Sequence, residues 1–195
     1  MVSSTELSRK LIHLVNLIIP FSYMVIVTDR VEMTIIMSIL SIVFILVEYA
    51  RMRVQIVKSI FSKLFNPMMR KHELDGKLTG ATWVVIISVP IIYFFPKEIA
   101  VLSLVFMSVG DSAASIIGQA FGKTIIGSKS LEGTLGCFAA CVIALLILDL
   151  IPLSVGLSGA IVATIFEALP LKIDDNVLIP VTSGTAMVLV SSFIV

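Results

Sequence analysis

The chain has 195 residues, of which 58% are hydrophobic and only 14% charged, with a mean hydropathy of +1.11. Ordinary soluble domains carry roughly 25% charge, so this make-up excludes a water-soluble globule. A net charge of +1, from 14 basic and 13 acidic residues, gives no overall electrostatic case for nucleic acid, and two cysteines exclude a disulfide framework.

Apolar runs fall near 11–27, 31–50, 78–95, 98–118, 134–151, 155–170 and 177–195. Each approaches the roughly 20 residues needed to cross a bilayer. Backbone polar groups in lipid pair internally, so each run reads as a helix. The expected fold is all-α: a polytopic membrane protein with about seven transmembrane helices and one amphipathic interfacial helix, forming a single integral-membrane catalytic domain over 1–195. Arg9 and Lys10 precede the first run, but no small-residue cleavage pattern follows it, so it reads as a retained span. A cytoplasmic N-terminus places all lysines and arginines inside except Arg30 and Lys97, as the positive-inside rule expects.

The stretch 51–77 holds Arg51, Arg53, Lys58, Lys63, Arg70, Lys71 and Lys77, with Ile56, Val57, Ile60, Phe61, Leu64 and Phe65 at helical spacing between them. It reads as the amphipathic helix on the inner leaflet, held by apolar burial and anionic membrane lipids and ended at Asn66-Pro67. Cys137 and Cys141, four residues apart inside an apolar run, read as small packing residues.

Carboxylates in the apolar runs carry the functional signal, because an ionised carboxylate at mid-bilayer costs about 2.5–3.5 kcal/mol even on lenient scales. Asp111 lies well inside the fourth run, among the small residues of Gly110 to Gly118; Glu167 is near the end of the sixth, and Asp174-Asp175-Asn176 opens the seventh. Threading brings these ends to the same cytosolic face. Asp174 and Asp175 have a structural reading as well, because acidic residues cap a helix N-terminus and oppose its dipole. Glu48 and Asp149, near helix ends, receive no role.

The loop over about 121–133 suits polyphosphate: it holds Gly122, Lys123, Gly127, Ser128, Lys129, Ser130 and Glu132, followed by a helix N-terminus. Gly122-Lys123-Thr124 imitates a Walker A ending, but position 117 is Ile117 rather than glycine and a helix precedes the loop, so a P-loop is rejected. Carboxylates beside such a loop point to a nucleotide with Mg2+, which one or two carboxylates hold while phosphates and water complete its shell. Zinc is disfavoured, since His13 and His72 are the only histidines.

These motifs resemble the CTP-dependent lipid kinases, which include dolichol and polyprenol kinases, phytol kinases and the yeast-type diacylglycerol kinase, and are related more remotely to phosphatidate cytidylyltransferases. Glu6-x-x-Arg9-Lys10-x-x-His13, Gly110-Asp111-Ser112-Ala113-Ala114-Ser115, Lys129-Ser130-Leu131-Glu132-Gly133, and Glu167 followed by Asp174-Asp175-Asn176 match the family's motifs in order. The resemblance implies transfer of the terminal phosphate of CTP to the hydroxyl of a long-chain lipid alcohol at the cytosolic face, with dolichol or polyprenol the first expectation, then a phytol-like prenol or diacylglycerol. On this reading Asp111, with Asp174 or Asp175, binds Mg2+, and Lys123 and Lys129 neutralise phosphate. Gly127, Ser128 and Ser130 supply donors, and Asn176 belongs with them. One of Glu132, Asp175 and Glu167 orients or deprotonates the acceptor, while Arg9, Lys10 and His13 close the site.

Eukaryotic dolichol kinases carry many further spans before the shared region, so the chain looks like a catalytic core, with room for a homodimer. Two rival readings remain: a cytidylyltransferase making a CDP-lipid, and a cation transporter using Asp111 in an ion path. The second would want polar groups on both halves of the membrane, and the outer side here is nearly bare.

Overall fold

The computed structural model describes residues 4–65, 73, 76–127 and 129–194. Ser128, Asn66-Pro67, Arg70, Lys71 and His72 therefore lie outside the described residues, as does the side chain of Glu6. The described chain is almost wholly helical. In order it forms α1 (Ser4–Val15), α2 (Ile18–Val25), α3 (Arg30–Arg53), α4 (Gln55–Phe65), α5 (Gly80–Phe94), α6 (Lys97–Phe121), β1 (Ile125–Ile126), β2 (Lys129–Ser130), α7 (Leu131–Leu148), α8 (Leu153–Ala168) and α9 (Asp175–Ile194).

Four of these, α3, α6, α7 and α9, are long and apolar enough to cross a membrane, and α5 and α8 are shorter apolar helices of 15 and 16 residues. At 1.5 Å per residue, 16 residues reach only about 24 Å, short of a hydrocarbon core of about 30 Å. Such helices make a membrane protein, with four helices of spanning length and two shorter apolar ones among the described residues. The run at 11–27 is two helices rather than one. Pro20 cannot donate to the carbonyl of Asn16 and its ring crowds that carbonyl. The backbone answers with tight turns, Asn16 N–H to His13 O at 3.1 Å and Leu17 N–H to Leu14 O at 3.0 Å.

The bundle is organised around α6, which is buried on nearly every side and packs on α1, α2, α5, α7, α8 and α9. A helix apolar all round belongs at such an axis. Its tightest neighbour is α7, and small residues make the approach possible. A Cβ on Gly133 would lie 2.7 Å from the Ala114 carbonyl oxygen, and one on Gly110 would lie 3.0 Å from both the Cys137 and Cys141 sulfurs. Both cysteines are free thiols buried in this seam. Gly133→Ala is expected to force α6 and α7 apart and to cost about 1–3 kcal/mol, the usual price of overpacking; a thermal melt in detergent reads it, and an unchanged melting temperature refutes the close-approach argument.

On the other side, α3 packs on α5 and is joined to it by a buried polar network. The Glu48 carboxylate accepts from Thr79 N–H (3.0 Å), Thr79 Oγ1 (2.6 Å) and Thr82 Oγ1 (3.0 Å), and meets Arg51 at 2.6 Å. Arg51 also donates to the carbonyls of Glu73 (3.0 Å) and Lys77 (2.9 Å), tying down the approach to α5. Amphipathic α4 forms within the expected 51–77 stretch. Ile56 and Ile60 face outward from it, while Phe61 lies under the Arg51 guanidinium, 5.2 Å from ring centroid to Cζ.

Candidate active site

Asp111 is buried on the central helix, roughly midway along α6. Its partners come from α1, far earlier in the chain: the Lys10 ammonium Nζ at 2.5 Å neutralises it, and His13 Nε2 lies 3.5 Å from Asp111 Oδ2. Lys10 is itself only 2% exposed, so neither charge is left to lipid. His13 Nδ1 faces the amide nitrogen of Asn16 at 3.4 Å and Nε2 faces the Met107 carbonyl at 3.3 Å. The ring thus bridges Asn16 on one side and Met107 with Asp111 on the other.

A second ionic cluster assembles at the ends of α8 and α9. Lys129 Nζ donates to Glu167 Oε1 at 2.8 Å, to Asp175 Oδ2 at 3.2 Å and to the Glu167 carbonyl oxygen. Burial works against the Lys129 charge, but the two carboxylates outweigh it and hold its pKa above the usual lysine value of 10.5. The buried Glu167 Oε2 has no hydrogen-bond partner among the described residues. An orphaned carboxylate oxygen in a cavity wall calls for a cation or a donor.

Lys129 is delivered by a two-stranded hairpin in which Ile126 pairs with Lys129 and Ile125 with Ser130. This hairpin is a small departure from the all-α expectation. It needs a two-residue turn, and Gly127 opens that turn at φ +64°, where a side chain would strain the backbone. Ser130 then caps α7, its Oγ accepting from Gly133 N–H at 3.1 Å. Glu132 turns back instead and accepts from Thr124 N–H, at 3.1 and 3.2 Å to its two oxygens, which pins the base of the loop.

Both ionic clusters line one cavity of about 420 Å3, which gathers Arg9, Lys10 and Lys129 with Asp111, Glu167 and Asp175. Three cations and three carboxylates, drawn from five elements, thus balance within one space. A second cavity, of about 470 Å3, adjoins it and shares Arg9, Lys10 and Asp111. Its remaining wall has an apolar part, including Val43, Phe44, Val47 and Phe61, and a polar part, including His13, Thr79, Thr82 and Asn176. Both volumes fall in the range of about 300–1,000 Å3 usual for small-molecule sites.

The sequence-derived residues divide unevenly between these spaces. Arg9, Lys10, Asp111, Lys129, Ser130, Glu167 and Asp175 meet in the polar cavity. Lys123 and Gly127 are exposed and line neither cavity, nor does Glu132. Asp174 is also outside them, accepting from Asn176 N–H at 3.0 Å through Oδ1. Asn176 lies in the second cavity, its amide 3.4 Å from the Gly80 carbonyl, and not with the nucleotide-loop residues. Asn16, Thr79 and Thr82 go unmarked in the sequence, and Glu48, given no role there, lines the second cavity with them. The signal available for them was a charged pair at i, i+3 closing an apolar run, Glu48 with Arg51, followed by the capping pattern Thr79-x-x-Thr82.

An apolar helical bundle that gathers ionised side chains beside a partly apolar chamber is the build of a membrane enzyme working on a charged and a lipidic substrate together. Relatives narrow the class. The chain is 31% identical over 153 residues to CTP-dependent diacylglycerol kinase 1 of Schizosaccharomyces pombe, covering 67% of this chain and 70% of that one. It is 27% identical over 179 residues to the protein of the same name from Eremothecium gossypii, covering 76% and 56%. It is 22% identical over 189 residues to protein RP860 of Rickettsia prowazekii, covering 91% and 90%. No protein-family profile matches, and no solved structure does. The chain belongs to the CTP-dependent lipid kinases.

Proposed function

We propose that the protein transfers the terminal phosphate of CTP to the hydroxyl of diacylglycerol at the cytosolic membrane face. The observation that carries this reading is the pair of adjoining cavities with Asp111 in their common wall. Relatives named as diacylglycerol kinases support that acceptor ahead of dolichol, polyprenol or phytol-like alcohols. The sidedness rests on the distribution of lysine and arginine.

In the polar cavity Arg9, Lys10 and Lys129 neutralise the triphosphate, and Ser130 with the first turn of α7 faces its oxygens. Glu167 and Asp175 fit a Mg2+ ion: both line the cavity, and Glu167 Oε2 has a vacant acceptor position. Among the described residues no three ligating groups form a ready-made metal cage. That suits an ion carried in with the nucleotide and held by one or two carboxylates. When bound, Mg2+ supplies charge neutralisation on the phosphate oxygens. Lys129 meets both of these carboxylates, so one ammonium lies where it can serve the phosphate and the metal-binding pair together.

In the transfer, the acceptor oxygen forms a bond to the terminal phosphorus as the bridging P–O bond breaks, and its electron pair leaves with CDP. The hydroxyl proton needs an acceptor at the boundary of the two cavities, and Asp111, oriented by His13 and Lys10, stands there. A cytidylyltransferase would release pyrophosphate from the same nucleotide. The test is to incubate purified protein in vesicles with each labelled nucleoside triphosphate, Mg2+, and a panel of diacylglycerol, prenols and phytol. CDP and phosphatidate are expected; pyrophosphate with a CDP-lipid, or cation flux with no nucleotide requirement, overturns the reading.

A further inference from the structure

We infer that the second cavity is the acceptor's seat, and that its polar wall selects an alcohol carrying further acceptor groups beside the hydroxyl, as a glycerol diester does and a prenol does not. The inference rests on the kinase reading and adds the subsite and the chemical basis of choice to it.

The cavity has two unlike ends. At one, Asp111 and His13 mark where a hydroxyl meets the phosphate-binding space. At the other, Val43, Phe44 and Val47 form one face of α3 and are between a third and a half exposed, so the cavity opens sideways to the lipid rather than to water. Phe61 of α4 closes it from beside Arg51. An apolar tail can leave through that opening while the head stays inside.

The wall in between decides the class of head. Thr79 and Thr82 direct their hydroxyls to Glu48, and Asn176 holds an amide near Gly80, where an added Cβ would come within 2.9 Å of the Asn176 nitrogen. Glu48 already takes both threonine hydroxyls, so the choice falls to the Asn176 amide, whose bond to the Gly80 carbonyl is long at 3.4 Å and which a prenol, one hydroxyl followed directly by hydrocarbon, would leave facing carbon. A glycerol diester presents two carbonyl oxygens within a few bonds of its hydroxyl and gives the Asn176 amide an acceptor. Successive residues of the first turn of α9 thus serve different substrates: Asp175 lines the polar cavity and Asn176 the other.

Two measurements test this. In vesicles without nucleotide, a diacylglycerol with a diazirine in one acyl chain should label α3 near Val47 and α4 near Phe61, and Val47→Trp should remove most of that labelling. Labelling spread equally over the lipid-facing sides of α3, α7 and α9, and unaffected by Val47→Trp, overturns the subsite even if the protein proves to be no kinase. In the kinase assay, Asn176→Leu should raise KM for diacylglycerol about fivefold, the loss expected of one hydrogen bond. It should leave KM for CTP unchanged and narrow the preference for the diester over its diether analogue. A rise in KM for CTP equal to that for lipid, or an unaltered diester preference, overturns the role of Asn176. A parent protein that phosphorylates no lipid removes the function and not the labelling result.

Discussion

Asp111→Asn is expected to lower lipid phosphorylation by about 10^2- to 10^4-fold, the usual worth of a positioned acid or base, while CTP still binds. The amide keeps the size and one acceptor oxygen of the carboxylate but cannot take the acceptor's proton. The substitution also withdraws the counter-charge from Lys10, which is almost fully buried at 2.5 Å. Breaking a buried pair from one side costs about 3–5 kcal/mol, so a lower melting temperature accompanies the lost turnover. Adding Lys10→Met separates the two effects, because the double variant has no stranded ammonium. It should regain most of the thermal stability and none of the activity. Turnover near the parent's in Asp111→Asn, or activity restored together with stability in the double variant, removes Asp111 from the reaction.

Lys129→Ala has the second largest expected effect. A charge-assisted hydrogen bond is worth about 1.5–3 kcal/mol, so kcat/KM for CTP should fall by about one to two orders of magnitude, with KM for lipid little changed. The same change removes the cation that Glu167 and Asp175 both meet. The variant should therefore melt below the parent, and added Mg2+ should raise its melting temperature more than the parent's. Equal CTP dependence in variant and parent refutes the phosphate role, and an equal response to Mg2+ refutes the carboxylate pair as the metal's seat. The pH sign is definite: the Lys129 pKa is raised, so its pairing stabilises the fold fully below the ordinary value of 10.5 and is lost only as pH climbs through the raised value.

What the sequence disclosed follows from where free energy is large. Apolar runs of bilayer length and the cost of a carboxylate within them are strong one-dimensional signals, and α3, α6, α7 and α9 lie close to their expected positions. Motif order linked Arg9, Lys10 and His13 to Asp111, Lys129 and Glu167, which no local pattern could have done. Facing directions stayed hidden. In the loop at 121–133 every residue has a chemistry that suits phosphate, yet the hairpin turns Lys129 and Ser130 inward and leaves Lys123 and Gly127 outside. Asp174 and Asp175 are interchangeable by composition, and only the start of α9 separates the capping residue from the one that meets Lys129. The break before Pro20 was visible as a residue type but was outweighed by the length of the apolar run around it.

The shared wall between the two chambers bears on the order of events. Arg9, Lys10 and Asp111 border both compartments, so each substrate would touch the boundary while the other is still in residence. Such an arrangement favours direct passage within a ternary complex over a relay through a phosphorylated side chain. Arg9 and Lys10 sit on successive positions of α1, so one short helix contributes to the wall of both chambers at once.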